Sequence, residues 1–154
     1  MSSPSDGWLD AEQQRAWQTF MKLQLRMTYE MNRQLQADSG LSLADYHVLN
    51  ALAGTPDGRM SVTALAAQIA WERSRVSHHT KRMTSRGLLE SALANHDRRV
   101  TEVSLTPAGR DALSAAAPGH VGLVRRLFFD GLDPEVMRQL TESLETVYQN
   151  IPDR

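Results

Sequence analysis

The sequence predicts a mainly α-helical protein that carries one small β-hairpin. Apolar residues recur at helical spacing along most of the 154-residue chain. Five segments open with a residue that can cap a helix, and one stretch rich in β-branched residues follows a polar turn. The predicted order is a long helix, a helix, a short helix, a helix, the hairpin and two further helices. The terminal helices therefore flank a compact centre.

The first element is predicted to be one long helix. Residues 1–10 are expected to form a flexible arm, and Asp10 can cap the helix together with Gln13 in a capping box. Residues 11–37 contain neither Gly nor Pro, and their apolar side chains mostly follow a spacing of three or four.

The second helix is predicted to begin after Gly40. Ser42 is expected to cap it, Asp45 takes the reciprocal capping-box position, and the turn-rich segment from Gly54 to Gly58 ends it.

The third and fourth helices are predicted to form a helix-turn-helix. Ser61 opens a short helix, a break near Ala70 follows, and a fourth helix of about residues 72–86 ends at Gly87. In a helix-turn-helix the second helix lies in the major groove of DNA, where its N-terminal residues contact base edges.

The fourth helix has one apolar face and one polar face. At 100° per residue, Val76, Thr80 and Met83 share the face that we expect to be buried. Hydroxyl, imidazole and cationic groups on the other side can bond base edges or phosphates. A solvated surface is the alternative, but such a surface usually mixes charges, and no acid lies on this one. The candidate DNA-binding residues are Ser74, Arg75, Ser77, His78, Lys81 and Arg82.

A β-hairpin is predicted for residues 88–105. Its arms are residues 88–94 and 100–105, and its polar tip has turn chemistry. An arginine at the tip of a two-stranded ribbon can enter the minor groove, and a neighbouring aspartate can orient it through a bidentate pair. A simply solvated hairpin is the alternative interpretation. The candidate residues are His96, Asp97, Arg98 and Arg99.

Two helices are predicted to complete the chain. Thr106 with Pro107 begins one that runs to about residue 129, with a kink at residues 118–119. Asp133 with Pro134 begins the other, which ends near residue 150, and both carry long apolar stripes.

Charge is concentrated in the centre of the chain. The formal net charge is −1, but residues 72–99 contain seven arginines and lysines against three acids, a net charge of +4. The remainder is therefore −5. A basic segment within an acidic chain indicates an anion-binding surface, with a solvated face as the alternative.

Composition excludes several classes of site. The chain has no cysteine, which excludes disulfides, cysteine-ligated zinc, iron–sulfur clusters and thiol sensors. His78 and His79 point about 100° apart on a helix, so we expect no metal site. No cofactor-binding or catalytic motif is present, so we expect no enzyme activity. We expect a cytoplasmic protein, because the chain lacks a secretory signal and a membrane-spanning apolar run.

The motifs together resemble the MarR family (multiple antibiotic resistance regulators) of bacterial transcription factors, over about residues 10–150. The wing combination of Asp97 and Arg99 followed by residues 105–109 is fairly specific. The matching pieces are residues 41–49 (LSLADYHVL), 64–69 (ALAAQI), 74–83 (SRVSHHTKRM), 86–90 (RGLLE), 97–99 (DRR) and 105–109 (LTPAG).

The resemblance implies a winged helix-turn-helix lobe and a helical dimerisation lobe. The DNA-binding region is expected at residues 41–106, and the dimerisation region at residues 11–37 and 107–151. Family members are homodimers, which implies a pseudo-palindromic operator and, most often, repression of a neighbouring gene. Arg99 is expected to enter the minor groove, with Asp97 supporting it.

The resemblance also implies release of DNA by a small aromatic or phenolic effector. The candidate pocket residues are Trp17, Met21, Tyr46 and His47, although such residues at helical spacing are more often plain core. The alternative function is a winged-helix module that binds an acidic protein without specific DNA binding. A salt-dependent, sequence-selective preference for duplex DNA would separate the two hypotheses.

Overall fold

The computed structural model describes residues 7–153 and confirms the predicted fold class. The chain is mostly helical and carries a small three-stranded antiparallel sheet. The helices are α1 (Ala11–Ser39), α2 (Leu43–Ala53), α3 (Val62–Ile69), α4 (Arg73–Ser85), α5 (Pro107–Val124) and α6 (Pro134–Gln149). The strands are β1 (Arg59–Ser61), β2 (Leu89–Leu93) and β3 (Thr101–Leu105).

Local capping begins five of the six helices. The side chains of Asp10, Ser42, Ser61, Thr106 and Asp133 each accept a hydrogen bond from a backbone N–H in the first turn. Asp10 with Gln13 and Ser42 with Asp45 form complete capping boxes. The sequence predicted each of these starts because a cap depends only on residues within one turn.

The predicted hairpin is confirmed, and a third strand extends it. β2 and β3 pair antiparallel with Ser91 opposite Val103, and β1 pairs with the other edge of β3, so the strand order is β1-β3-β2. The sequence did not predict β1, because three residues are too few to show an alternating pattern.

The apolar core lies where α2, α3, α4 and the sheet meet. Leu49, Leu65, Val76 and Met83 are fully buried there, and Leu35 from the end of α1 and Ala116 from α5 close one side. This packing fixes the orientation of α4 and therefore decides which of its side chains face solvent.

Helix α5 begins against the turn between α4 and β2. The Thr106 hydroxyl donates to the carbonyl oxygen of Gly87 at 2.6 Å, and the Thr106 N–H donates to that of Leu88 at 3.2 Å. A Cβ at Gly109 would collide with the Leu88 carbonyl oxygen, so this close approach requires glycine.

Helix α5 passes through the predicted kink site as a helix. Pro118 lies within its bounds, and the hydrogen-bonding pattern changes later, in a π-helical turn at Arg125–Phe129. The helical segment as a whole therefore reaches residue 129, as predicted.

The outer helices are largely exposed. Residues 11–20 of α1 are all exposed, and no residue of α6 is buried. Most of the predicted arm, residues 1–6 of 1–10, lies outside the described residues. Between residues 7 and 153, no helix is both long and apolar enough to cross a membrane.

Candidate nucleic-acid interface

Helix α4 presents the predicted polar side to solvent. Val76, Thr80 and Met83 are buried, as the helical angles predicted. The remaining candidates are exposed apart from Ser77, which is half-buried: Ser74, Arg75, His78, Lys81 and Arg82. Donors, acceptors and cations therefore share the surface of one helix that a groove of DNA could receive.

The turn before α4 holds Arg75 in place. Ala70 adopts a left-handed conformation (φ 55°) that turns the chain between α3 and α4. The guanidinium carbon of Arg75 lies 3.8 Å from the centroid of the Trp71 ring, a cation–π contact. This stacking orients a cation at the N-terminal end of α4, beside the predicted base-contacting residues.

A polar network ties α4 to α2, with Asp45 and His79 buried and Arg82 and Arg86 exposed. The Asp45 carboxylate accepts from Nε2 of His79 at 2.9 Å and from Nη1 of Arg86 at 2.7 Å. Nη2 of Arg82 lies 3.0 Å from Nδ1 of His79. We call these four residues the α2–α4 network.

Sequence reasoning missed this network. It placed Asp45 only in a capping box and did not include His79 or Arg86 in the site. The sequence shows only that polar residues lie near the apolar helical stripes. That pattern does not identify the hydrogen-bond partners of Asp45, which are 34 and 41 positions away along the chain.

The network keeps Asp45 ionised. Burial by itself raises the pKa of Asp45, but the hydrogen bonds from His79 and Arg86 and from the Ser42 backbone outweigh burial. They hold the pKa of Asp45 well below its usual range. Asp45 therefore keeps a buried negative charge next to the basic helix α4.

The wing presents a preorganised arginine. Nε and Nη2 of Arg99 each lie 3.1 Å from one carboxylate oxygen of Asp97, and the Arg99 N–H donates to Asp97 at 3.0 Å. These bonds to Arg99 lower the pKa of Asp97. The Arg99 side chain is 91% exposed, so the pair orients the guanidinium without covering it. Neighbouring His96 and Arg98 are also exposed.

A shallow groove connects the wing with the helix-turn-helix. Thr63 from α3, Arg73 from α4 and Arg99 from the wing line it together. Thr63 and Arg73 were not among the predicted site residues, although Arg73 belongs to the basic segment. Arg73 of α4 and Arg99 of the wing therefore face the same groove, together with Asp97.

Within one chain, the predicted effector-pocket residues form two separate pairs: Tyr46 with His47, and Trp17 with Met21. The ring centroids of Tyr46 and of His120 in α5 lie 4.4 Å apart, and His47 is near enough for its charge to act on His120. Trp17 packs on Phe20 and Met21 is half-buried, both on α1. Along α1, Met21 lies about 16 Å and Trp17 about 22 Å from Asn32, which contacts α2.

Tyr46 and His120 are both buried. Burial and then the charge of His47 lower the pKa of His120. His47 is itself exposed, and partial desolvation and then Arg75 lower its pKa. Burial raises the pKa of Tyr46. In the described part of the chain, buried Nδ1 of His120 and Oε1 of Gln34 have no hydrogen-bond partner. No group of three or more metal-ligating side chains occurs among residues 7–153.

A family model described as the MarR family matches residues 39–100. Among curated proteins no significant match was found.

Three solved structures resemble the chain over nearly its whole length. AbsC, a MarR family transcriptional regulator from Streptomyces coelicolor, is 32% identical, with 94% of this chain and 97% of AbsC covered and a TM-score of 0.87. Sco3205, a MarR family transcriptional regulator from the same organism, was crystallised in complex with DNA. It is 33% identical, with 96% and 92% covered and a TM-score of 0.89. The transcriptional regulator BldR from Sulfolobus solfataricus is 25% identical, with 91% and 96% covered and a TM-score of 0.78.

Two of these regulators exceed 30% identity while aligning from the long first helix to the last helix of the chain. The helix-turn-helix, the wing and the outer helices follow the same architecture. The chain therefore belongs to the MarR family of transcriptional regulators.

Proposed function

We propose that this chain binds double-stranded DNA sequence-specifically as a homodimer and represses transcription from a pseudo-palindromic operator. The observation that carries the proposal is the groove that Arg73 of α4 and Arg99 of the wing line together, with Arg99 oriented by Asp97 and exposed. The DNA complex of Sco3205, a relative 33% identical, supports it.

Helix α4 is the proposed recognition helix. Ser74, Ser77 and His78 can donate to and accept from base edges in the major groove. Lys81 can bond guanine O6 and N7 or a phosphate, and Arg75, held on Trp71, can approach the DNA backbone.

The wing is the proposed minor-groove element. A guanidinium is attracted most strongly where the groove is narrow and rich in A·T pairs. The Asp97 pair leaves part of the Arg99 guanidinium available, because arginine has five N–H donors in a planar fork. Arg98 and His96 are proposed to contact the flanking phosphates.

A second copy of the chain is the proposed partner of the outer helices. Phe20 of α1 and Leu144, Val147 and Tyr148 of α6 line an exposed apolar groove. Apolar stripes at both ends of the chain fit a two-fold interface in which each copy covers the other. Such a dimer would place two recognition helices about 34–36 Å apart, one turn of DNA.

A small aromatic or phenolic anion is the proposed effector. Its ring could stack on Tyr46, and its anionic group could bond Nδ1 of His120, which is buried without a partner in the described chain. The predicted residues Trp17 and Met21 would have to come from the other copy. Release of DNA requires that the effector prefer a dimer whose recognition helices are misplaced for the groove.

The effector proposal can be tested by thermal shift with small phenolic acids such as 4-hydroxybenzoate. A shift that disappears in His120→Ala, together with release of bound DNA, would support it. An unchanged shift in His120→Ala would place the ligand elsewhere.

DNA binding is tested on the duplex immediately upstream of the gene that encodes the chain. The measurement is affinity for this duplex and for a scrambled duplex, titrated with salt. Tight selective binding to a palindrome, weakening steeply with salt, is expected because counterions are released from phosphates.

The competing function predicts a different result from the same titration. If the basic surface serves only an acidic protein, both duplexes bind equally and weakly. Selection from a random pool of duplexes then separates a distant operator from a true lack of selectivity, because a specific binder still enriches one sequence.

A further inference from the structure

We propose that His79 is a positioning residue that holds Arg82 of the recognition helix through its neutral imidazole, so that acid lowers selectivity for DNA. The inference rests on the proposed function, since it concerns the same DNA-binding surface. It assigns a role to a buried histidine that itself does not face the groove.

The geometry defines how each imidazole nitrogen is used. Nε2 of His79 lies 2.9 Å from Oδ1 of Asp45, and Nδ1 lies 3.0 Å from Nη2 of Arg82. A carboxylate only accepts and a guanidinium only donates. Both bonds therefore form together only when His79 carries its single proton on Nε2.

A second proton on His79 would break one of these two bonds. Nδ1 would become a donor that faces the N–H donor of Arg82, and the positive imidazolium would repel the positive guanidinium. The bond to Asp45 would remain, because the imidazolium still donates from Nε2. Protonation therefore releases Arg82 while the imidazole stays attached to α2.

The surroundings keep the imidazole in this orientation. His79 is buried, and the Trp71 ring packs edge-on against it with centroids 5.4 Å apart. The charged groups that face it are Asp45 from α2, and Arg82 and Arg86 from α4 and its C-terminal cap. Arg86 bonds Oδ2 of Asp45 and the carbonyl oxygen of Gly40, so it is held independently of His79.

Arg82 is the part of the network that DNA can reach. Its side chain is exposed at the edge of α4, and a guanidinium has four more N–H donors besides the one that bonds His79. When His79 holds Arg82 in place, Arg82 can contact a phosphate in only one alignment of the protein along the DNA. Released, it still attracts DNA through its charge but no longer helps to select a sequence.

Glutamine at position 79 provides a matched test. Its amide N–H can donate to Asp45 and its carbonyl oxygen can accept from Arg82, yet it takes up no proton between pH 5 and 8. His79→Gln should therefore imitate the neutral imidazole at every pH in that range.

The experiment compares wild type and His79→Gln at pH 7.5 and pH 5.5 at constant salt. The probe is a duplex selected by the wild type from a random pool, with its scrambled version as control. We expect similar selectivity at pH 7.5. Between pH 7.5 and pH 5.5, the ratio of affinities for the selected and scrambled duplexes should fall about fivefold more for the wild type than for His79→Gln. A fivefold change corresponds to the loss of about one hydrogen bond. The other histidines are the same in both proteins, so their contribution cancels in this comparison.

Arg82→Ala tests whether His79 acts through Arg82. In the Arg82→Ala background, His79→Gln should no longer alter the pH profile, because the group that His79 positions is absent. Equal pH profiles of wild type and His79→Gln would overturn the proposal, as would a difference that persists without Arg82.

A measurement without DNA separates this proposal from the proposed function. The ¹⁵N shifts of the His79 ring at pH 7.5 should show a proton on Nε2 and none on Nδ1. A proton on Nδ1 would overturn the inference even if the chain binds DNA selectively. If no variant selects a duplex, the proposed function and the selectivity role fail, whereas the ring shifts still decide whether His79 holds Arg82.

Discussion

Asp45 contributes both to the local capping of α2 and to a tertiary contact with α4. Its carboxylate accepts from the Ser42 N–H at the start of α2 and from His79 and Arg86 on and after α4. The capping role follows from a spacing of three residues. The tertiary role exists only because the packing of α2 against its neighbours brings α4 to the same carboxylate.

Asp45→Asn is expected to destabilise the fold by about 2–3 kcal/mol at pH 7. The amide nitrogen would face the donors of Arg86, and His79 would lose its anionic partner. The value is below that of a fully buried pair because the Arg86 side chain is 44% exposed. Urea unfolding of both proteins measures the difference, and equal midpoints would contradict the network's role.

The cost of Asp45→Asn should also depend on pH. Because the pKa of Asp45 is lower in the folded chain than in the unfolded chain, its stabilisation is present above about pH 4 and is lost as the pH falls. The gap between wild type and Asp45→Asn should therefore narrow from pH 7 to pH 3. A gap that stays constant would show that the carboxylate is not preferentially ionised in the fold.

Lys81→Ala and Arg99→Ala test the two parts of the DNA-binding surface. Lys81→Ala should cost about 1–3 kcal/mol and relax specificity at one position if Lys81 contacts a base. Arg99→Ala should weaken binding mostly at flanking A·T-rich positions. Affinities for single-base variants of the selected duplex distinguish these outcomes.

Matched controls for these variants lie on α1. Lys22→Ala and Arg33→Ala each remove one exposed positive charge far along the chain from α4 and the wing. They should leave the affinity nearly unchanged. Equal losses in all four variants would indicate a general charge effect instead of a docked interface.

At the scale of elements, α5 shows how two neighbouring motifs depend on each other. Thr106 caps α5 with one bond to the Gly109 N–H and joins it to the α4–β2 turn with another to Gly87. The cap was predictable from Thr106 and Pro107. The need for glycine at position 109 was not, because it arises from the Leu88 backbone, 21 positions earlier in the chain.

Gly109→Ala is expected to destabilise the chain by about 1–3 kcal/mol, since the new methyl group overlaps the Leu88 carbonyl oxygen. Thermal unfolding measures the loss. Gly122→Ala is the matched control within α5, because its nearest neighbour would be the flexible end of Arg126 at 3.5 Å. Greater destabilisation by Gly122→Ala would contradict the close approach at Gly109.

In the whole molecule, the core is buried within one chain, whereas the outer helices are largely exposed to solvent. The core lies between α2, the helix-turn-helix and the sheet, whereas Val147 and Tyr148 of α6 are 61% and 75% exposed. A single copy therefore completes the proposed DNA-binding surface but leaves the apolar side of α6 in solvent.

Leu144→Glu should convert the proposed dimer to monomer, because a charge would be buried in the apolar groove between copies. Sedimentation equilibrium measures the mass. Thr146→Glu is the control, because it adds the same charge on the polar side of α6, where Thr146 bonds the Glu142 carbonyl oxygen. A wild type that is monomeric at micromolar concentration would contradict the dimer proposal.

Local sequence patterns are enough to predict the helices, their caps, the hairpin and the polar side of α4. These features depend on residues within one or two turns of each other, so capping spacing and helical angle suffice to predict them. The pairing of Asp97 with Arg99 belongs to the same class, since two positions in one turn separate them.

Only the tertiary structure decided which distant side chains meet. Asp45 with His79, Tyr46 with His120, and β1 with β3 are contacts between segments 34 or more positions apart. Such contacts depend on how helices cross and strands pair, and neither periodicity nor composition encodes that geometry in a single chain. The sequence therefore does not show that His79 is a partner of Asp45, although it correctly predicted that His78, Lys81 and Arg82 are exposed on α4.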